Sequence, residues 1–194
     1  MTVRDYATQC IKDEAQALLD LIPQLDDNFD HSVELILACH GKVIVTGVGK
    51  SGHIGAKIAA TLSSTGTPSF FINPLDVYHG DLGVMTPDDV VLAISNSGQT
   101  DELLRFIPML QHMKVPIIGM SGNPGSLLAK YSTYHINVKH NILTCFQLLF
   151  HLCLQRSVIT VLIYFLILQK FVVLNATTEF LRRKKEIFHS VLLR

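Results

Sequence analysis

Apolar positions change their period at residue 42. Before it the spacing is helical: Val3–Leu21 sets Tyr6, Cys10, Ile11, Leu18 and Leu19 in a rough stripe, and a second helix is expected from about Phe29 to Cys39. Asp27 or Asn28 suits the N-cap of that second helix, and Gly41 a left-handed exit from it. Lys42–Val48 (KVIVTGV) is then a short, apolar, β-branched run. Similar runs follow at Pro68–Ile72, Val90–Ser95, Pro116–Met120 and Tyr134–Val138, with helical stretches at Ile54–Ser63, Thr100–Met113 and Ser126–Lys130. Strands that are apolar throughout are buried on both faces, as in a parallel sheet covered by helices. The alternation predicts an α/β fold: a doubly wound five-stranded parallel sheet flanked by helices, with further helices at the N-terminus. In such a sheet ligands bind at the carboxyl ends of the strands, so chemistry is expected in the loops after Val48, Ile72, Ser95 and Met120.

Composition narrows the class. A chain of 194 residues, 48% hydrophobic and 16% charged, suits one sizeable core and not a long multidomain enzyme. Formal net charge is zero, which argues against a nucleic-acid partner. The zero is an average of two blocks. Residues 1–125 carry 7 Lys and Arg against 14 Asp and Glu, and residues 126–194 carry 9 against 2. All 12 glycines and all 7 prolines also fall within residues 1–125. Cys10, Cys39, Cys145 and Cys153 show no metal-ligand spacing and read as reduced thiols. MTVRDYATQC lacks the apolar run of a signal peptide, and the apolar windows 141–155 and 157–169 fall short of the ~20 residues of a membrane helix. A cytoplasmic protein is expected.

Three loops carry candidate chemistry. Gly47-Val48-Gly49-Lys50-Ser51-Gly52 has the form G-x-G-x-x-G. The dinucleotide reading fails because Ile72-Asn73-Pro74 stands where an acidic ribose ligand belongs, and a Walker A loop fails because Ile44 replaces its first glycine. What remains is either a tight turn or an anion site, built from N–H groups at a helix start, the Lys50 ammonium and the Ser51 hydroxyl. Ser95-Asn96-Ser97-Gly98-Gln99-Thr100 offers three hydroxyls and a glycine at the next strand-to-helix junction. A helix cap needs only one hydroxyl, so three favour a phosphate monoester. Glu102 follows in the first helical turn, where a carboxylate also suits the helix dipole. His79, in Tyr78-His79-Gly80-Asp81-Leu82-Gly83, lies on the expected ligand edge.

Taken together, these residues resemble the sugar isomerase (SIS) domain, and within it the single-domain arabinose-5-phosphate isomerases that lack CBS domains. GVGKSGHIGAKIAATLSSTGTPSFF, HGDLG and SNSGQTDE occur in the family's order and spacing between about Gly41 and Lys139. The resemblance implies that Ser95, Asn96, Ser97, Gly98 and Thr100 hold a sugar phosphate together with Gly49, Ser51 and Gly52. It implies that Gly66 and Thr67 line the rest of the site, and that Lys50, Glu102 and His79 take part in catalysis. The implied reaction interconverts D-ribulose 5-phosphate and D-arabinose 5-phosphate through an enediol, supplying Kdo for lipopolysaccharide. It needs no cofactor and no metal. The implied assembly is a homotetramer with sites completed across subunits, without nucleic-acid or membrane partners. A sugar-phosphate-sensing domain without chemistry is the alternative.

Two departures stand out. Asn73 occupies the place of a family histidine that can bind inhibitory zinc, so no metal is expected there. After Lys139 the family uses a glutamate and a histidine in catalysis, and ungapped counting puts Leu143 and Lys184 in their places. The division expected is therefore a sugar-phosphate domain over residues 1–140 and an atypical, helical segment over 141–194. Three readings fit that segment. It is a divergent cap burying Leu148, Leu152, Val161 and Phe165; a membrane-associated extension with the basic run Arg182–Lys185; or translation out of frame. The loss of every Gly, Pro and Asp close to where the resemblance ends fits the third best.

Overall fold

The computed structural model describes residues 2–139, and all three readings of 141–194 lie outside the described residues. The chain opens with α1 (Val3–Leu19), started by a reciprocal cap in which the Asp5 N–H donates to Thr2 Oγ1 (3.2 Å) and the Thr2 N–H to Asp5 Oδ2 (2.7 Å). Its expected stripe is not a core stripe throughout, since Ile11 and Leu19 stand exposed. A short 3₁₀ turn, Ile22–Gln24, leads to α2 (Asp27–Leu37). The cap of α2 is Asp26, one residue before the expected position. Its extended backbone lets the carboxylate accept from the N–H groups of Asn28 (3.0 Å) and Phe29 (3.3 Å).

The sheet follows as β1 (Val43–Gly47), α3 (Lys50–Ser64), β2 (Ser69–Ile72), β3 (Val90–Ile94), α4 (Asp101–His112), β4 (Ile117–Ser121), α5 (Leu127–Tyr131) and β5 (Tyr134–Asn137). Every pairing is parallel and the strand order is β2-β1-β3-β4-β5. All five residues of β1, of β3 and of β4 are buried, as continuous apolar runs require. Right-handed crossovers that leave β1 in both directions put α3 on one face and α4 with α5 on the other. On the α4 face the register partners Ile44, Val91 and Ile117 pack with Leu103, Phe106, Ile107, Leu110 and Leu128.

Helix α3 begins at Lys50, a turn earlier than its apolar pattern predicts, because Gly52 is helical, as is Gly55 within the predicted stretch. A Cβ on Gly52 would meet the Gly47 carbonyl at 2.8 Å, and one on Gly55 the Phe71 ring at 3.1 Å. Each glycine costs the helix about 1 kcal/mol in propensity, and an overpacked interface would cost about 1–3 kcal/mol. Close packing wins.

Gly41 is not the left-handed exit from α2. Its φ is not positive, and α2 ends at Ala38 with right-handed helical angles. It is a close-approach glycine: a Cβ would meet the Asp88 carbonyl at 2.8 Å and collide with the Asp89 carboxylate. Asp89 is fully buried at the amino edge of the sheet, accepting from the N–H groups of Lys42 and Thr86 (2.7 Å each) and pairing with Lys42 Nζ at 3.2 Å. Burial works against its ionisation, but the N–H donors of Thr86 and Lys42 and the ammonium outweigh it and hold the carboxyl below its ordinary value. A depressed folded pKa means stability that is present above the unfolded value and lost as pH falls through the folded one. Asp89→Asn should therefore lower the unfolding free energy at pH 7 by about 1–3 kcal/mol in urea titrations. The deficit should begin to shrink as pH falls through about 4, where the unfolded carboxyl takes up its proton, and fade once the native carboxyl is protonated at its lower pKa; a deficit independent of pH would show that the charge is immaterial.

Among the described residues no helix is long and apolar enough to cross a membrane.

Candidate functional site

The chain runs from β1 outward to β2 and returns to β3 on the other side of β1, so the loops after β1 and β3 leave adjacent strands in divergent directions. That is the topological switch point, where a crevice opens at the carboxyl edge. Gly47 is the register partner of Ile94, and a Cβ there would sit 3.0 Å from the Ile94 carbonyl. The two candidate anion loops therefore start side by side.

In the first loop Gly49 has φ +57 and ψ −121, a combination that L side chains rarely adopt, and it turns β1 directly into α3. The first helical bonds run from Gly52 N–H to Val48 O (3.4 Å) and from His53 N–H to Gly49 O (3.1 Å). The N–H groups of Lys50 and Ser51 precede them and carry no helical partner. Lys50 is exposed, and among the described residues no carboxylate lies within ion-pair distance of it. Ser51 is half-buried beside it. This loop offers a cation, a hydroxyl and two N–H donors.

The second loop is more ordered within itself. Ser95, 2% exposed, shares a proton with Thr100 Oγ1 (2.8 Å) and accepts from Gly98 N–H (3.0 Å), closing the loop from beneath. Gly98 is left-handed at φ +63. Ser97 is exposed, and its Oγ accepts from Gln99 N–H (3.1 Å), which leaves its own proton to donate outward. Asn96 is exposed beside it. Thr100 is the N-cap residue of α4, yet no side chain caps that helix, and its first bond is Leu104 N–H to Thr100 O (2.9 Å). The three hydroxyls are thus not spent on capping, and the N–H groups of Asp101 and Glu102 are open. Glu102 is half-buried in the first turn, without an ion-pair partner among the described residues.

The structure does not bring every candidate to this crevice. His79 belongs to a 3₁₀ turn, Asp76–His79, which follows β2 at the carboxyl edge and is joined through Gly80 to a second turn, Asp81–Val84. Gly66 and Thr67 lie at the opposite edge. They follow α3 and precede β2, whose start is tied to the start of β1 by the Val43 N–H to Pro68 O bond (2.9 Å). About 15 Å of strand separates them from the loops of their own chain. Gly52 faces the sheet and not the crevice. Asn73 Oδ1 accepts from Leu75 N–H (3.2 Å). No group of three or more His, Cys, Asp or Glu among the described residues could hold a metal ion.

A third strand-to-helix loop, Ser121-Gly122-Asn123-Pro124-Gly125-Ser126, flanks the second, and none of its residues stands out as a candidate in the sequence. Ser121 and Ser126 are buried, and Ser121 Oγ lies 2.8 Å from His135 Nε2. Burial pushes the His135 imidazole below its ordinary pKa, against a smaller opposite pull from Asp26.

These features define a doubly wound α/β domain with two candidate anion loops at its switch point, and the chain belongs to the SIS-domain family, whose model matches residues 36–168. Among individual proteins it is 50% identical over 128 residues to the arabinose 5-phosphate isomerase KdsD of Yersinia pestis, covering 66% of this chain and 39% of that one. It is 49% identical over 126 residues to KdsD of Escherichia coli K12, covering 65% and 38%. The chain thus spans about two fifths of the length of these curated relatives. Of solved structures, an E. coli CFT073 protein in complex with arabinose 5-phosphate is similar at a TM-score of 0.76 and 32% identity, over 88% of this chain and 94% of that one. The phosphoheptose isomerase GmhA of Neisseria gonorrhoeae shares the fold at a TM-score of 0.70 and 15% identity, over 88% and 100%.

Proposed function

We propose that the chain binds a pentose 5-phosphate at the β1/β3 crevice and is by lineage an aldose–ketose isomerase interconverting D-ribulose 5-phosphate and D-arabinose 5-phosphate. One observation carries the binding half: the Lys50 ammonium, without a carboxylate partner among the described residues, lies on the loop adjacent to one whose hydroxyls are not used as helix caps. Half identity to KdsD proteins through these loops supports the choice of sugar. Ser51, Ser97, Thr100 and the open N–H groups hold the phosphate. Lys50 stabilises the developing enediolate oxygen, and the Glu102 carboxylate moves a proton between adjacent carbons. His79, on the turn after β2 at the same edge, is the third catalytic candidate. The aldehyde and ketone differ only in the placement of two hydrogens, so the conversion balances without a cofactor. The product serves Kdo synthesis in the cytoplasm. Gly66 lies exposed at the amino edge, so it lines a sugar end only if a second copy of the chain brings it there, as a homotetramer would, whereas Thr67 is buried in its own chain.

The second reading is a sugar-phosphate-binding domain without turnover, favoured by Leu143 and Lys184 in place of the family's glutamate and histidine. Thermal stabilisation by arabinose 5-phosphate, and conversion of ribulose 5-phosphate, separate the two. Stabilisation without conversion selects the binding domain; absence of both removes the phosphate assignment. Ser97→Ala should weaken binding by about 1–3 kcal/mol, read by calorimetric titration. Unchanged affinity would leave Ser97 with only its bond to the Gln99 N–H.

A further inference from the structure

The anion loop is not held by its own residues alone. The Asn96 carbonyl accepts from Gly122 N–H (3.0 Å) and the Gly98 carbonyl from Leu128 N–H (3.1 Å). Two backbone bonds thus fasten the loop after β3 to the β4–α5 loop and to the first turn of α5. The contact is close: a Cβ on Gly98 would collide with the Ser126 side chain and come within 3.1 Å of Ser121 Oγ.

The second loop takes its shape from one buried hydroxyl. Ser121 Oγ lies 3.1 Å from Asn123 O, 3.3 Å from Asn123 N, 3.4 Å from Ser126 Oγ and 2.8 Å from His135 Nε2. Ser126 Oγ in turn caps α5 by accepting from Ala129 N–H (3.2 Å). Ser121 has one proton and several acceptors around it. With Nε2–H of neutral His135 donating to Ser121 Oγ, the serine proton is free for the Asn123 carbonyl, and the loop is closed without a clash of donors.

We propose that Ser121 and His135 are positioning residues for the phosphate site: His135 on β5 orients Ser121, Ser121 folds the β4–α5 loop, and that loop clamps Asn96 and Gly98 in the anion-binding conformation. The inference rests on the reading of Ser95–Thr100 as a phosphate loop. A loop fixed before the ligand arrives spends no binding energy on being ordered, so loosening the clamp is felt in affinity.

Titration of the full chain with arabinose 5-phosphate and with inorganic phosphate, beside its thermal midpoint, tests this. Ser121→Ala and His135→Leu should each raise Kd about tenfold, the equivalent of one net hydrogen bond, and by the same factor for both ligands. His135→Gln offers an amide nitrogen in place of Nε2 and should stay within about threefold of the unaltered chain. Equal affinity in Ser121→Ala and the unaltered chain overturns the clamp while the phosphate site stands, as does equal weakening in His135→Leu and His135→Gln. An unaltered chain that binds neither ligand overturns the phosphate site and the clamp together.

Discussion

Gly98→Ala is expected to reduce sugar-phosphate affinity by about 100-fold or more and to lower the unfolding free energy by about 2–5 kcal/mol. Two costs combine. A left-handed backbone (φ +63) costs an L residue roughly 1–2 kcal/mol, and forcing a methyl against the Ser126 side chain adds roughly 1–3 kcal/mol of overpacking. The affinity falls because the loop escapes the strain by lifting off the β4–α5 loop. That movement disturbs the donors of Ser97 and Thr100. Gly49→Ala provides the comparison. Gly49 also has a positive φ, +57, with ψ −121 outside the left-handed helical well, but nothing lies within 4 Å of its missing Cβ. It should lose only a backbone term, roughly 1–3 kcal/mol. Urea unfolding of both variants, with calorimetric titration, checks the difference; equal losses at the two positions would show that the contact with Ser126 is unimportant.

The second large effect belongs to Glu102→Gln. The amide keeps the shape of the side chain but cannot take up a proton, so turnover should fall by roughly 10²–10⁴-fold. The Kd for arabinose 5-phosphate should stay within about threefold. The carboxylate also sits in the first turn of α4, where its charge favours the helix start by only about 0.3–1 kcal/mol. The two roles are therefore separable by size. A loss of stability with turnover intact would make Glu102 a helix-dipole residue and nothing more.

Much of the sheet can be read from the sequence, for a physical reason. KVIVTGV, VVLAIS and PIIGM are apolar at both odd and even positions, and only a strand covered on both faces tolerates that. The observed β1, β3 and β4 coincide with those runs to within a residue. Helix starts are harder. Gly52 looks like loop because propensity is local, whereas the close approach it allows to the Gly47 carbonyl is tertiary. Gly41 misleads in the same way: its neighbour is Asp89, far along the chain, and not the end of α2.

The site divides along the same line. SNSGQT is legible because its hydroxyls and glycine are contiguous. The clamp is not, since Ser121 and His135 are 14 residues apart and meet only through the parallel register of β4 with β5. Gly66 and Thr67 show the reverse case. They are prominent in the stretch that carries the resemblance, but strand direction alone sends any residue between a helix and the next parallel strand to the amino edge. His79 is placed only as far as its 3₁₀ turn.

The buried Asp89 carboxylate fastens the amino ends of β1 and β3, while the two candidate anion loops leave the carboxyl ends of the same two strands. One pair of strands is thus anchored at one end and chemically equipped at the other. If the proposed site holds, a change of ligand preference through Ser51, Ser97 or Thr100 would leave the anchor untouched, and the chain could be re-specified without being refolded.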